Sequence, residues 1–140
     1  MRVAIFGGTG FVGGYLVDAL VSAGVKPIVM VRPGSEHKMR HPERCQLVSG
    51  DISDNAAMLQ MLDGADAVIY NIGILREFPK RGITFDQLHE KAAIRVIDAA
   101  RWTGVNRFIL MGANGAKADG TPYQMTKYRA EQYLMKTRLD

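Results

Sequence analysis

Residues 2–24 read RVAIFGGTGFVGGYLVDALVSAG. The first five, RVAIF (2–6), form the kind of continuous apolar run that suits a strand buried on both faces. A helix is predicted from about Gly10 to Ala23, with Gly24 in the position that stops a helix. Between them, Gly7, Gly10 and Gly13 fit G-x-x-G-x-x-G, and Gly8, Gly10 and Gly13 fit G-x-G-x-x-G. Glycines so placed allow a tight turn, a close approach of the backbone to a pyrophosphate, and close packing of helix on strand. The N–H groups at the helix start, on Phe11, Val12 and Gly13, would then face the phosphates, and Thr9 could add a hydroxyl donor. No Gly-Lys-Ser/Thr follows, so the loop is not a P-loop. The competing reading, glycines that serve only the turn, is weakened by their position at a strand-to-helix junction.

The same alternation runs outward along the chain. Further strands are predicted at 27–31 (PIVMV), 45–50 (CQLVSG), 66–73 (DAVIYNIG) and 107–112 (RFILMG). A helix is predicted over about 54–62, stopping at Gly64. Thr84 with Gln87 reads as a capping box for a helix ending at Gly104. Thr121 with Gln124, plus Pro122 at the first helical position, reads as a second. Strand and helix thus alternate five times. That pattern predicts an α/β fold with a parallel sheet covered by helices on both faces; with the glycine turn, the expected type is a Rossmann-like, doubly wound sheet in the order 3-2-1-4-5. Residues 1–140 are expected to form one domain, with no repeat, low-complexity tract or linker.

Composition narrows the function. The chain is 47% hydrophobic and 23% charged, ordinary for a globular domain. Its net charge of +4 comes without a basic block, so a nucleic-acid partner is not expected. Cys45 is the single cysteine, which excludes an internal disulfide or a thiolate metal cluster; it reads as a partly buried thiol. His37, His41 and His89 lack zinc-ligand spacing, so no metal is expected. The N-terminus enters a strand at once, and no apolar run approaches the ~20 residues of a membrane span. A cytoplasmic location without a membrane span is therefore expected.

The strand ends supply the remaining site candidates. Arg32 follows the second strand, where an acid would be needed to accept the ribose hydroxyls of NAD. Arginine cannot accept those bonds and suits a 2′-phosphate, so NADP(H) is favoured over NAD(H), with Lys38 and Arg40 as possible helpers. A solvated loop arginine is the alternative. Asp51 after the third strand could accept from the adenine amino group while Ile52 packs on the ring; alternatively Asp51, Ser53 or Asp54 caps the next helix. Asn71, Ile72 and Gly73 end the fourth strand, as a floor for the ribose and nicotinamide side.

Tyr123 and Lys127 stand four residues apart in TPYQMTKYRAEQYL (121–134). Alone, that spacing is weak evidence. Joined to the glycine turn and the Asp51-Ile52 pair, it resembles the short-chain dehydrogenase/reductase superfamily. VIYNIGILREFPKRGITFDQLHEKAAIRVIDAA and VNRFILMGANGA further resemble its atypical, NmrA-like NAD(P)-binding group, which includes the NADPH-binding accessory subunit of respiratory complex I. The resemblance covers essentially the whole chain. It implies that Tyr123 exchanges a proton with a substrate oxygen. Lys127 would favour tyrosinate by its charge and bond the nicotinamide ribose. A free tyrosine titrates near ~10, so chemistry at neutral pH needs such help.

The resemblance also has departures. Gly112 stands where the family's serine is usual, His89 where many relatives carry an asparagine, and neither Thr121 nor Thr126 matches the serine motif. Relatives also continue beyond this helix into a substrate lobe, so an N-terminal portion of a longer unit is expected. Two functions follow: an NADP(H)-dependent oxidoreductase or epimerase-like enzyme, or a non-enzymatic NADP(H)-binding sensor or assembly module. A flavodoxin-like domain suits the glycine loop and Arg32 less well. The apolar run Phe108, Ile109, Leu110 and Met111 predicts self-association through the edge of the fifth strand.

Overall fold

The computed structural model describes residues 1–140. Five parallel strands, β1 (Arg2–Phe6), β2 (Lys26–Val31), β3 (Gln46–Ser49), β4 (Ala67–Tyr70) and β5 (Arg107–Leu110), form one sheet in the order β3-β2-β1-β4-β5. The register sets Ile5 beside Val29 and Ile69, at the centre of the sheet. Chain direction reverses its march between β1 and β4, and in such sheets ligands bind at the carboxyl ends of the strands around this switch point.

Four α-helices cover the sheet: α1 (Phe11–Ser22), α2 (Asn55–Leu62), α3 (Ala92–Trp102) and α4 (Pro122–Met135). Alternation along each strand divides the core in two. Ala4, Phe6, Ile28, Met30, Val68 and Phe108 face α2, α3 and α4. Val3, Ile5, Val29, Val31 and Ile69 face α1 alone. Fully burying each large side chain contributes about 1.5–3 kcal/mol. The cover is therefore uneven: Ile109, pointing to the α1 face beside Ile69, remains 52% exposed.

Local signals explain the helix ends. Asp54 accepts from the N–H groups of Ala56 and Ala57 and caps α2. Thr121 and Gln124 form both bonds of a capping box, with Pro122 opening α4. Gly24, Gly64 and Gly104 follow their helices with positive φ.

Three expectations need correction. Thr84 Oγ1 accepts from the Gln87 N–H at 3.1 Å, but the reciprocal bond of a capping box is not formed. The Phe85 N–H goes instead to Glu77 Oε1, at 2.8 Å. The following turns, Asp86–Lys91, are π-helical before they run into α3. Tyr70 Oη donates to the Leu88 carbonyl there, which draws the backbone toward the sheet. The third correction concerns β5, whose outer edge is not fully open. The Phe108 N–H donates to the Asp140 carbonyl, the Asp140 N–H donates to Asn106, and Arg107 pairs with the Asp140 carboxylate. Nor is the 108–111 run buried on both faces, since Ile109 and Met111 are exposed. No helix is long and apolar enough to cross a membrane.

Candidate functional site

The strand ends open into a cleft of about 1120 Å³. Its lining includes Gly7, Thr9, Gly10, Phe11, Val12, Arg32, Asp51, Ile52, Asn71, Ile72, Gly73, Tyr123 and Lys127. Gly8 and Gly13 of the glycine pattern stay out of the lining, buried under the loop. A Cβ on Gly13 would overlap the Gly7 carbonyl oxygen, and one on Gly7, at φ +94°, would lie 3.0 Å from the Asn71 carbonyl group. These glycines therefore let β1, α1 and the end of β4 meet at backbone distance.

The N-terminus of α1 is built for an anion. Gly10 occupies its N-cap with no side-chain bond, and no acid lies in the first turn. No backbone or side-chain acceptor takes the N–H groups of Phe11, Val12 or Gly13. Free donors and the positive end of the helix dipole together attract phosphate. The donor set fits a dinucleotide pyrophosphate.

Around this cradle, Arg32 carries no carboxylate partner. Its proposed helper Arg40 does not join it: Arg40 pairs with Asp18 and lies over the Tyr15 ring at 4.6 Å. Lys38 is also outside the lining. Asp51 holds the Ser53 N–H and hydroxyl through one oxygen, and the cap of α2 falls to Asp54. The capping role expected of Asp51, Ser53 or Asp54 thus belongs to Asp54, and Asp51 stays in the cleft lining. Arg95 reaches from α3 to the Ile52 carbonyl and fixes that end of the cleft. Cys45 is partly buried, and burial first, then Glu43, raises its pKa.

The other end is organised by α4. Lys127 is only 4% exposed, and its Nζ donates to the Met111 carbonyl at 2.8 Å. Burial lowers its pKa, and the Glu131 carboxylate opposes that shift. Tyr123, one turn earlier, sets its ring edge-on to Phe85 and His89, with centroids 5.5 and 5.1 Å away. His89 is buried, and its Nε2 accepts the Ile74 N–H at 3.0 Å, so the proton of the neutral ring lies on Nδ1. Nδ1 faces Thr126 Oγ1 at 3.4 Å, and that hydroxyl donates on to backbone carbonyls of Pro122 and Tyr123. Burial, then the Lys127 charge, pulls the His89 pKa down to about 4. A Cβ on Gly73 would sit 3.6 Å from Lys127 Nζ and 3.7 Å from His89 Nε2, so Gly73 keeps the space between them open. Gly112 departs from the serine pattern in space as well, because a side chain there would meet the Glu131 carboxylate.

Sequence reasoning missed the wiring of His89 and the lining supplied by Leu75, Phe78, Arg81, Gln87 and Arg95. The visible signal was the basic and aromatic composition of ILREFPKRGI (74–83).

Comparison with known proteins gives a consistent picture. A family model described as NAD(P)H-binding matches residues 7–140. The ceramide reductase of Caulobacter vibrioides is 33% identical over 115 residues, covering 82% of this chain and 35% of its own length. The mitochondrial NADH-ubiquinone oxidoreductase 40 kDa subunit of Neurospora crassa is 27% identical over 137 residues, 93% of this chain and 36% of its own. The chain thus spans about a third of the length of these curated relatives. Among solved structures, the Bordetella bronchiseptica enzyme WbmH in complex with NAD+ superposes with a TM-score of 0.81 at 20% identity, over 99% of this chain and 53% of its own. The UDP-glucose 4-epimerase of Thermotoga maritima does so with a TM-score of 0.76 at 20% identity, over 96% and 50%. These likenesses carry the fold.

Proposed function

The chain belongs to this NAD(P)H-binding family, and from that premise we propose that its cleft holds NADP(H) in preference to NAD(H) and presents it to Tyr123 and Lys127. The open N–H groups of Phe11, Val12 and Gly13, beside the unpartnered Arg32, are the observation that carries the proposal. The cradle, with Thr9, takes the pyrophosphate, and Arg32 takes the 2′-phosphate. Asp51 accepts from the adenine amino group, Ile52 packs on the ring, and Asn71, Ile72 and Gly73 floor the ribose and nicotinamide side. Lys127 exchanges its bond to Met111 for the nicotinamide ribose.

The bound cofactor supplies hydride chemistry. The chain's own part is the proton: Tyr123 Oη gives it to, or takes it from, a substrate oxygen, with the Lys127 charge favouring tyrosinate. The reading is that of a reductase or epimerase-like domain, residues 1–140 being the cofactor-binding part of a longer family unit, working in the cytoplasm.

Calorimetry tests cofactor choice. One charge-assisted contact contributes about 1.5–3 kcal/mol, so NADPH is expected to bind more than roughly tenfold tighter than NADH. Arg32→Asp is expected to flatten or reverse that ratio; equal affinities for the unchanged chain would overturn the preference.

A second reading, a non-enzymatic NADP(H)-binding sensor or assembly module, is favoured by Gly112, where Glu131 fills the side-chain space and no hydroxyl is available. Under it the chain binds NADPH yet turns over a carbonyl panel negligibly. Turnover that Tyr123→Phe abolishes would decide for the enzyme. Copies of the chain are further proposed to associate through the side of the sheet that carries Ile109.

A further inference from the structure

Residues 75–83, between β4 and the π-helical turns, are unused by the cofactor reading, yet they form a built structure. Phe78 and Ile83 bridge antiparallel, with the Phe78 N–H on the Ile83 carbonyl at 2.7 Å. Pro79–Arg81 form a single 3-10 turn, and Gly82 closes it at φ +67°. Backbone bonds from Arg81 to Phe78 and from Gly82 to Pro79 lock the loop into a small hairpin. Glu77 ties its base to Phe85, whose ring meets Tyr123.

This hairpin carries Arg76, Lys80 and Arg81 against one carboxylate, Glu77, which is already engaged. None of the three cations has an ion-pair partner. The guanidinium groups of Arg76 and Arg81 stand 5.5 and 5.9 Å from the Phe78 ring, which holds two positive charges on one aromatic platform. Phe78 and Arg81 line the cleft, and Leu75 on its rim is 89% exposed. Like charges gathered without counter-ions repel one another, and a bound anion relieves that repulsion. The 2′-phosphate has its own candidate in Arg32, after β2. The hairpin follows β4, and the roots of the two loops lie two strands apart, roughly 10 Å.

We propose that this hairpin is the substrate-recognition arm of the cleft, and that the substrate is a soluble anion with an apolar body: a carboxylate or phosphate held by Arg81 and Arg76, its apolar part lying along Phe78 and Leu75 toward Tyr123. The proposal rests on the cofactor reading for its chemistry but not for its binding. A flat hydrocarbon pocket would not need the arginines, and a phosphate-only site would not need an exposed leucine beside them.

Calorimetry with n-octyl phosphate and n-octanol, below micelle-forming concentrations and with NADPH present, tests it. Octyl phosphate is expected to bind at least tenfold tighter than octanol. The double substitution Arg76→Gln with Arg81→Gln is expected to remove that advantage, while Lys26→Gln, the loss of one positive charge at the opposite end of the sheet, leaves it intact. Both arginines are exposed, so the fold tolerates their loss. Equal binding of the two probes, or unchanged binding by the double variant, would overturn the arm. A parallel loss of NADPH affinity in the double variant would also overturn it, by showing that the arm serves the dinucleotide. Sedimentation with phosphatidylglycerol vesicles, without binding of monomeric octyl phosphate, would assign the charge to a lipid surface and overturn the soluble substrate. NADPH binding by the unchanged chain reports separately on the cofactor reading.

Discussion

Burial, then the Lys127 charge, keep His89 neutral far below the usual histidine range, with a pKa of about 4 in the folded chain against 6.5 for a free histidine. The unfolded chain therefore takes up the proton first as pH falls. Stability is full above the free value, is lost between about 6.5 and 4, and levels off below that. The expected loss is on the order of 3 kcal/mol. Urea titrations at several pH values should show it, and His89→Gln should flatten this part of the profile; an identical slope in the variant would contradict the assignment. Gly13 makes a second expectation at this scale. Gly13→Ala drives a methyl into the Gly7 carbonyl, and backbone cannot step aside as a flexible side chain can. A loss of about 1–3 kcal/mol is expected in denaturant unfolding, together with weakened NADPH binding. The glycine positions were legible in the sequence because their demands are local. The engagement of Arg40 was not, since its partners Asp18 and Tyr15 belong to a helix more than twenty residues away.

At the scale of elements, α4 and the helix before β5 make a useful contrast. The box at Thr121 and Gln124 was readable because all of its atoms lie within one turn. Thr121→Ala is expected to destabilise the chain by about 1 kcal/mol, seen as a lower denaturation midpoint with an unchanged slope. The π-helical stretch could not be read. Its hydrogen-bond register answers to Tyr70 Oη on the Leu88 carbonyl and to His89 under Ile74, contacts that close only once the sheet exists. The Thr84 signal was real but half used, since Glu77 competed for the helix start. Strand ends behaved similarly: β4 closes at Tyr70, three residues before the predicted end at Gly73, and Asn71 to Gly73 turn into the cleft as lining.

At the scale of the molecule, the parallel sheet follows from strand-helix alternation and right-handed crossovers, while the order 3-2-1-4-5 needed the glycine turn as well, because the same alternation also suits the flavodoxin-like order 2-1-3-4-5. The β5 edge was less so, because Asp140 pairs across more than thirty residues. That pairing weakens strand addition as a route to self-association and leaves the exposed Ile109 face as the candidate contact. Light scattering is expected to show a concentration-dependent rise above 15.4 kDa that Ile109→Glu removes. A monomer at every concentration would refute the association.

The two unequal coats of the sheet make the cleft a seam. Its proposed phosphate cradle belongs to the thinly covered α1 side, and its proposed acid–base pair, Tyr123 and Lys127, to α4 on the heavily covered side. Whatever lies across both acts as a clasp. At a hundredfold excess over Kd such a ligand adds about 2.7 kcal/mol to the folded state. For a chain of this length that is roughly 4 °C of melting temperature per kcal/mol. The shift should also be uneven: amide exchange should slow most at the strand ends and helix starts that line the cleft, and least at the opposite end of the sheet. The chain would then serve as its own detector, and a melting screen over nucleotides would rank its partners before any reaction is known.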